Sequence, residues 1–211
     1  MSRNADSAIS RATGSTMSAE QAQEDAWVCA SQRGDALSFN RLVLKWEKTV
    51  YNAALRMLQD REDAAEATQE IFLLAFKSIR RFRCGSRFST WLYRIAINHC
   101  ITRVRRRPPG IHLSLGDAGA LKPAEQLTVD EPQSAELLRS EQQRRVWNAL
   151  SHLQAEQQAI IELKFFQEMT FDEIAEVLGV PLSTVKSRLY SGLEMLKTGW
   201  EIRLDRLKEE I

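Results

Sequence analysis

The residues best suited to binding another molecule lie near the C-terminus, in the pattern of a helix-turn-helix motif. Thr170 and Glu173 have the spacing of a capping box that starts a helix, and Gly179 is a typical end for that helix. The second helix of such a motif enters the major groove of DNA, where its polar side chains contact phosphates and base edges. The candidate DNA-binding residues are Ser183, which also caps that helix, Thr184, Lys186, Ser187, Arg188, Tyr190 and Ser191. The alternative is a helical hairpin of no particular function.

A second candidate surface lies in the basic segment 77–107, which holds ten Lys or Arg residues and no Asp or Glu. A helix over 88–105 places arginine, tryptophan and asparagine side chains in one stripe, which the residue just ahead of the helix extends. The residues of this stripe are Arg87, Trp91, Arg94, Asn98 and Arg105. Because arginine neutralises phosphate, indole stacks on bases and a carboxamide hydrogen-bonds a base edge, the stripe suits a separated or partly melted strand. The alternative is a solvated basic face around a core tryptophan.

The loop ahead of this helix has the sequence Arg83-Cys84-Gly85-Ser86 and is short and polar. A loop of this kind can form a pocket for a base that has left its stack. We therefore treat the loop and the stripe as one candidate surface.

A third candidate surface lies on the helix predicted over 61–79, opposite the side that faces the core. Carboxylates line it, and one leucine stands among them; the residues are Asp63, Glu66, Glu70 and Leu73. An exposed leucine inside a carboxylate stripe is typical of a protein-docking face with an apolar anchor and a charged rim. The alternative is an ordinary solvated face.

Helices must position all three surfaces, because no stretch alternates like a strand for more than a few residues. The predicted fold class is all-α, with two small helical domains joined by a flexible linker. The predicted boundaries are a disordered tail over 1–24, a first domain over 25–107, a flexible acidic linker over 108–133, a second domain over 134–199 and a helical extension over 200–211. Translation could start at Met1 or at Met17.

Composition narrows the classes of function. Hydrophobic residues make up 44% and charged residues 27%, which is typical of a soluble folded protein. The sequence offers neither a membrane span nor a signal peptide, so we expect a cytoplasmic protein without membrane insertion. Three cysteines without CxxC spacing predict neither a disulfide framework nor a metal site, and no cofactor motif is present. His99 and Cys100 adjoin on a helix and point apart, so no nucleophile–base pair and no enzymatic activity are expected.

Three runs of sequence together resemble a known family. They are Asp63-Ala64-Ala65-Glu66-Ala67-Thr68-Gln69-Glu70-Ile71-Phe72, then Phe82-Arg83, then Phe88-Ser89-Thr90-Trp91-Leu92-Tyr93-Arg94-Ile95-Ala96-Ile97-Asn98. This order is similar to conserved region 2 of the bacterial extracytoplasmic-function (ECF, group 4) RNA polymerase sigma factors of the sigma-70 family. Residues 150–197, with Thr184-Val185-Lys186-Ser187-Arg188-Leu189, resemble their region 4. The resemblance covers about residues 24–200.

The resemblance implies a factor that binds core RNA polymerase, recognises and melts promoters, and serves genes that respond to stress or envelope signals. Docking on the β′ clamp helices would use Asp63, Glu66, Gln69, Glu70 and Leu73. The −10 element would be bound by the loop and stripe, namely Arg83, Cys84, Gly85, Ser86, Arg87, Phe88, Trp91, Arg94, Asn98 and Arg105. The −35 element would be bound by Ser183, Thr184, Lys186, Ser187, Arg188, Tyr190 and Ser191.

Two further partners follow from the same resemblance. Members of the family also contact the β flap of the polymerase, and an anti-sigma factor commonly masks their binding surfaces. Whether this chain has an anti-sigma factor is a question that its sequence leaves open. The rival hypothesis is a stand-alone helix-turn-helix activator or repressor. A protein of that kind would form a homodimer on palindromic DNA without polymerase.

Overall fold

The described part of the chain is helical, and the prediction of an all-α fold is confirmed. A computed structural model describes residues 5–83, 87–106, 149–150 and 152–209, and the side-chain surroundings over 19–83, 87–106, 149–150 and 152–197. The α-helices are α1 (Ala5–Gln32), α2 (Ala36–Leu58), α3 (Arg61–Ser78), α4 (Phe88–Arg106), α5 (Ala155–Ile161), α6 (Phe171–Leu178) and α7 (Leu182–Glu209). A 3-10 turn over Ile79–Arg81 follows α3, and a π-helical turn over Glu162–Phe166 joins α5 to the segment before α6.

Helices α2, α3 and α4 form a bundle in the first half of the chain. The side chain of Asp60 caps α3 by accepting a hydrogen bond of 2.8 Å from the backbone N–H of Asp63. Leu42, Ile71 and Leu92, one from each helix, are buried where the three helices meet. Arg103 belongs to a basic last turn of α4, which is favourable at the negative end of the helix dipole. This bundle sets the orientation of both candidate surfaces of the first half.

The sequence predicted a disordered tail over 1–24, whereas the structure has helix α1 from Ala5 onward. The segment has little apolar periodicity, but alanine, glutamine and glutamate favour a helix by intrinsic propensity alone. Two contacts hold its C-terminal part against the bundle. The buried carboxylate of Glu24 pairs with Lys45 of α2, and Gln32 Nε2 donates to the backbone carbonyl of Phe82 at 2.6 Å.

The second half consists of α5, the π-helical turn, α6 and α7. Helix α7 continues through Gly199 to Glu209 without a break, so the predicted boundary between 199 and 200 is not the end of a helix. The predicted linker over 108–133 lies outside the described residues, as does 134–148 at the start of the predicted second domain.

The two halves share one hydrophobic core and are in contact. Helix α4 packs against α5 and α6 as well as against α2 and α3, and α2 also contacts the π-helical turn. The sequence predicted two helical bodies that meet only through a linker; in this structure they meet directly. Among the described residues, no helix is long and apolar enough to cross a membrane.

We expect Leu42→Ala to lower the free energy of unfolding by about 2–5 kcal/mol, because Leu42 is fully buried (0% exposed) between the helices of the bundle. Leu44→Ala is the matched control on the same helix, since Leu44 is 70% exposed and its truncation should cost less than about 0.5 kcal/mol. Urea unfolding followed by circular dichroism measures both. Equal costs at the two positions would contradict the placement of the core.

Candidate functional site

The helix-turn-helix is built as the sequence predicted, except that its second helix begins at Leu182, so Ser183 lies inside α7 and does not cap it. Thr170 and Glu173 form a reciprocal capping box: the N–H of Thr170 donates to Glu173 Oε2 at 2.8 Å, and the N–H of Glu173 donates to Thr170 Oγ1 at 3.3 Å. The hydrogen bonds from the backbone and hydroxyl of Thr170 lower the pKa of Glu173. Gly179 ends α6 with a φ of 65°, a left-handed conformation that glycine adopts without strain. Val185 of α7 is buried in the corner that this turn creates.

Helix α7 presents most of the predicted DNA-binding residues to solvent. Ser183, Lys186, Ser187, Tyr190 and Ser191 are exposed, and Thr184 and Arg188 are half-buried. The ring of Tyr190 is 64% exposed, which suits it for contact with a groove or a phosphate.

Two of these candidates also have partners inside the chain. Ser191 accepts a hydrogen bond of 3.2 Å from Gln157 Nε2 of α5, and the ammonium group of Lys186 lies 5.7 Å from the centre of the Phe171 ring. These contacts within the chain therefore fix part of the candidate DNA-binding surface of α7 before DNA binds.

The loop and stripe of the first half divide between exposed and structural residues. Arg83, Arg87, Arg94, Asn98 and Arg105 are exposed, as a strand-binding surface requires. Cys84, Gly85 and Ser86 lie outside the described residues.

An aromatic cluster of Phe82, Phe88 and Trp91 lies at the start of α4. The half-buried ring of Trp91 lies 5.1 Å from Phe82 and 5.6 Å from Phe88, measured between ring centres. Phe88 is 2% exposed, so in this conformation its side chain is not presented for the DNA contact that the sequence predicted. The sequence missed this because Phe88 opens the helix beside the loop, and its burial depends on contacts with Phe82 and Trp46 from other elements.

The acidic stripe on α3 is tied to α4 through one arginine. Arg103 lies 2.8 Å from Glu66 Oε2, 3.1 Å from Glu70 Oε2 and 3.7 Å from Asp63 Oδ1. His99 Nε2 lies 2.9 Å from Glu70 Oε2, and burial lowers the pKa of His99 despite that neighbouring carboxylate. Arg103 therefore fixes the carboxylates of the predicted docking face and offsets part of their charge.

The docking face has a wider apolar part than the sequence indicated. Leu73 is exposed as predicted, Gln69 is exposed beside it, and Leu74 and Phe76 are exposed as well. Sequence reasoning missed the role of Arg103, although its spacing of four residues from His99 places both on the face of α4 that looks toward α3.

The arrangement offers binding surfaces, and no reactive pair of side chains appears among the described residues. Burial raises the pKa of the Cys100 thiol to about 12, so this cysteine is an inert core residue. Within the described ranges, no group of His, Cys, Asp and Glu side chains could hold a metal ion.

Comparison with known families matches the two halves separately. A family model described as Sigma-70 region 2 matches residues 42–108, and one described as Sigma-70, region 4 matches residues 143–196. The region 2 match contains the acidic stripe and the basic stripe, and the region 4 match contains the helix-turn-helix.

Several relatives are similar over most of their length. The chain is 35% identical over 183 residues to the ECF RNA polymerase sigma-E factor of Haemophilus influenzae, which covers 85% of this chain and 96% of that protein. It is 32% identical to the RNA polymerase sigma-H factor of Pseudomonas aeruginosa, with coverage of 83% and 93%. It is also 32% identical to the ECF RNA polymerase sigma factor SigW of Bacillus subtilis, with coverage of 79% and 90%.

Two solved structures share the fold at 20% sequence identity. CnrH in complex with the cytosolic domain of CnrY superposes with a TM-score of 0.63, covering 85% of this chain and 98% of that one. The sigma factor RpoE in complex with the anti-sigma factor NepR from Bartonella quintana gives a TM-score of 0.56, covering 78% of this chain and 97% of that one.

We expect Thr170→Ala to lower the free energy of unfolding by about 1 kcal/mol near neutral pH, because α6 loses the side chain that caps it. The pKa of Glu173 is lower in the folded chain than in the unfolded one. The stabilisation from its hydrogen bonds is therefore present above the unfolded pKa and is lost as the pH falls through the folded pKa. The cost of Thr170→Ala should shrink accordingly between neutrality and about pH 4, as urea unfolding measures.

Glu173→Gln is the control for this pH dependence, because glutamine keeps the acceptor of the capping box without a titrating group. The cost of Glu173→Gln should vary with pH in the same sense as that of Thr170→Ala, being largest where Glu173 is ionised in the wild type. A cost of Thr170→Ala that is the same at both pH values would contradict the role given to Glu173.

Proposed function

The chain belongs to the extracytoplasmic-function RNA polymerase sigma factors of the sigma-70 family, and we propose that its three surfaces divide the work of promoter recognition among them. As a sigma factor, it binds core RNA polymerase and promoter DNA and directs transcription initiation. In the proposal, the acidic and apolar face of α3 docks on the β′ clamp helices, the loop and stripe of α4 take the −10 strand, and α7 reads the −35 element. In addition to the β′ clamp helices, the chain contacts the β flap of the polymerase.

One observation carries this division: α4 presents different chemistry on two of its faces. Arg94 and Asn98 are exposed on one side, while Arg103 faces the carboxylates of α3 on another. Protein docking and strand binding can therefore take place on the same bundle without competing for a surface. Strand opening follows, because bases captured on the α4 stripe no longer pair with the opposite strand.

The proposal includes a cytoplasmic location, where polymerase and promoter DNA are found, and no chemical reaction by the chain itself. It also includes control by an anti-sigma factor, which is supported by the RpoE neighbour that was solved with such a partner. The stand-alone activator or repressor is not favoured, because the similarity to sigma factors extends over both halves and not over the helix-turn-helix alone.

We expect Lys186→Ala combined with Arg188→Ala to reduce promoter-specific transcription at least tenfold, since each lost base or phosphate contact costs about 1–3 kcal/mol. Affinity for core polymerase should be unchanged. Leu73→Ala should lower the affinity for core polymerase, and should lower transcription only through that loss, because it removes the apolar anchor of the docking face and leaves α7 intact. In vitro transcription and fluorescence titration with core enzyme measure the two effects.

The control for the charge removed from α7 is Lys197→Ala, a substitution about two and a half helical turns beyond Arg188 on the same helix. It should leave both transcription and core affinity close to the wild-type values. The division of roles is refuted if the double variant loses core binding, or if Leu73→Ala keeps it.

We expect Asn98→Ala to leave closed-complex formation unchanged and to slow strand opening, because its carboxamide is exposed on the α4 stripe and its loss does not disturb the core. Permanganate reactivity of promoter thymines measures the opening. Thr102→Ala is the matched control, since Thr102 is exposed one turn further along α4 and its hydroxyl bonds to the backbone carbonyl of Asn98. Unchanged opening in Asn98→Ala would mean that the stripe is only structural.

A further inference from the structure

One arginine in the last turn of α4 contacts all three carboxylates of the acidic stripe on α3. Arg103 Nη2 lies 2.8 Å from Glu66 Oε2 and 3.1 Å from Glu70 Oε2. Its Nη1 lies 3.7 Å from Asp63 Oδ1 and donates a hydrogen bond of 3.2 Å to the backbone carbonyl of Asp63. A single side chain of α4 therefore gathers carboxylates that are spread over seven positions of α3.

The three carboxylates repel one another unless a cation lies among them. Residues 63, 66 and 70 lie within about 60° of one another on a helix that turns by 100° per residue. Like charges three or four residues apart on one helix face are unfavourable. In the absence of Arg103, the two glutamate side chains would separate into solvent and populate several rotamers.

The two glutamates that Arg103 holds remain accessible to another protein. The side chain of Glu66 is 62% exposed and that of Glu70 is 45% exposed, whereas the side chain of Arg103 is 21% exposed. Leu73 follows Glu70 by three residues and is 51% exposed, so the apolar anchor and the held carboxylates share a surface. The cation is the most buried member of the cluster, and the carboxylates are the members that a docking protein would meet.

Glu70 has a second contact from the same helix. His99 Nε2 lies 2.9 Å from Glu70 Oε2, the oxygen that Arg103 also approaches. Because His99 and Arg103 stand four residues apart on α4, both reach Glu70 from that helix. Two neighbours at one oxygen restrict the rotamers of Glu70 more than one neighbour would.

Two opposing effects decide what this arrangement does to the binding of a cationic partner. Each flexible side chain that is ordered only on binding reduces the affinity, because its conformational entropy is lost at that moment. Against this, Arg103 cancels part of the negative charge that attracts a cation. That attraction is weak between exposed groups, since water and salt screen it. The benefit of ordered carboxylates therefore outweighs the charge that Arg103 removes.

We propose that Arg103 is a positioning residue for the binding of core polymerase, which holds Glu66 and Glu70 in the rotamers that receive a lysine or arginine side chain of the docking partner. This inference rests on the docking role proposed above for the face of α3. It adds a residue of α4 that acts on the polymerase only through two carboxylates of its neighbouring helix.

The test measures the affinity of full-length variants for purified core RNA polymerase by fluorescence titration, with a fluorophore at the N-terminus of the chain. Arg103→Ala removes the guanidinium, and Arg103→Met removes it while keeping most of the aliphatic packing of the side chain. Both changes are repeated in a chain that carries Glu66→Gln and Glu70→Gln, which completes a double-mutant cycle. Circular dichroism at the same temperature reports the helix content of each variant.

We expect Arg103→Ala and Arg103→Met each to bind core polymerase about tenfold more weakly than the wild type, because two glutamates must then be ordered on binding. The chain with both glutamines should itself bind more weakly than the wild type. In that chain the substitutions at Arg103 should change the affinity by less than about twofold, since the arginine has no carboxylate pair left to position.

Arg106→Ala is the matched control for the lost charge. It removes an exposed cation from the same last turn of α4. Core affinity should stay within about twofold of the wild-type value, because an isolated exposed charge contributes little.

Three results would overturn the role given to Arg103. One is a gain of core affinity in Arg103→Ala, greatest at low salt, because the arginine would then only offset charge. Another is wild-type affinity in the folded variants, or a loss of affinity only where helix content is lost too, since the cluster would then serve only to hold α3 against α4. The third is an equal loss with and without the two carboxylates, which would mean that Arg103 acts elsewhere.

Leu73→Ala separates this proposal from the docking role on which it rests. If Leu73→Ala keeps wild-type core affinity, the face of α3 is not the docking face and both proposals are wrong. If Leu73→Ala lowers the affinity while the Arg103 variants or the chain with both glutamines keep it, the docking role stands and the positioning role alone is wrong.

Discussion

The rotational setting of α4 is the constraint on which the other surfaces depend. The helix is held by Leu92, Ala96 and Ile97, which are buried against neighbouring helices. Successive residues of an α-helix differ by about 100°, so a shift of one position would bring Arg94 into the core and carry Arg103 away from α3. Core packing thus decides which side chains α4 presents to solvent, where the proposed function places a nucleic acid strand, and which it presents to the acidic stripe.

Charged side chains are segregated into separate surfaces, although the net charge of the whole chain is close to zero. The formal net charge is +1, yet a carboxylate stripe and an arginine stripe lie on adjacent helices of one bundle. Arg103 lies between the two stripes and pairs with the carboxylates. The arginines of the α4 stripe remain on a different face, where they can attract phosphate. In the proposed function, separate surfaces of opposite sign let one small bundle bind polymerase and DNA, two partners of very different chemistry.

Local patterns predicted the parts of the structure that local interactions determine. The capping box at Thr170 and Glu173, the glycine turn at Gly179 and the exposed Leu73 all follow from spacing along one or two helices. Contacts between distant residues left no such signal: Arg56 and Glu162 are 106 positions apart, and Arg103 and Asp63 are 40 apart. Helix α1 was missed for a different reason, since intrinsic propensity rather than an apolar face supports most of its length. The burial of Phe88 likewise depends on rings that reach it from other elements.

The claim that these surfaces serve transcription initiation is tested most directly with purified core RNA polymerase and genomic DNA, with the start sites of the transcripts mapped. The account predicts that transcripts from a discrete set of sites appear only when the chain is added, with shared sequence near −10 and −35. It is contradicted if the chain produces no new start sites and does not associate with core enzyme, while it binds duplex DNA tightly as a homodimer on its own.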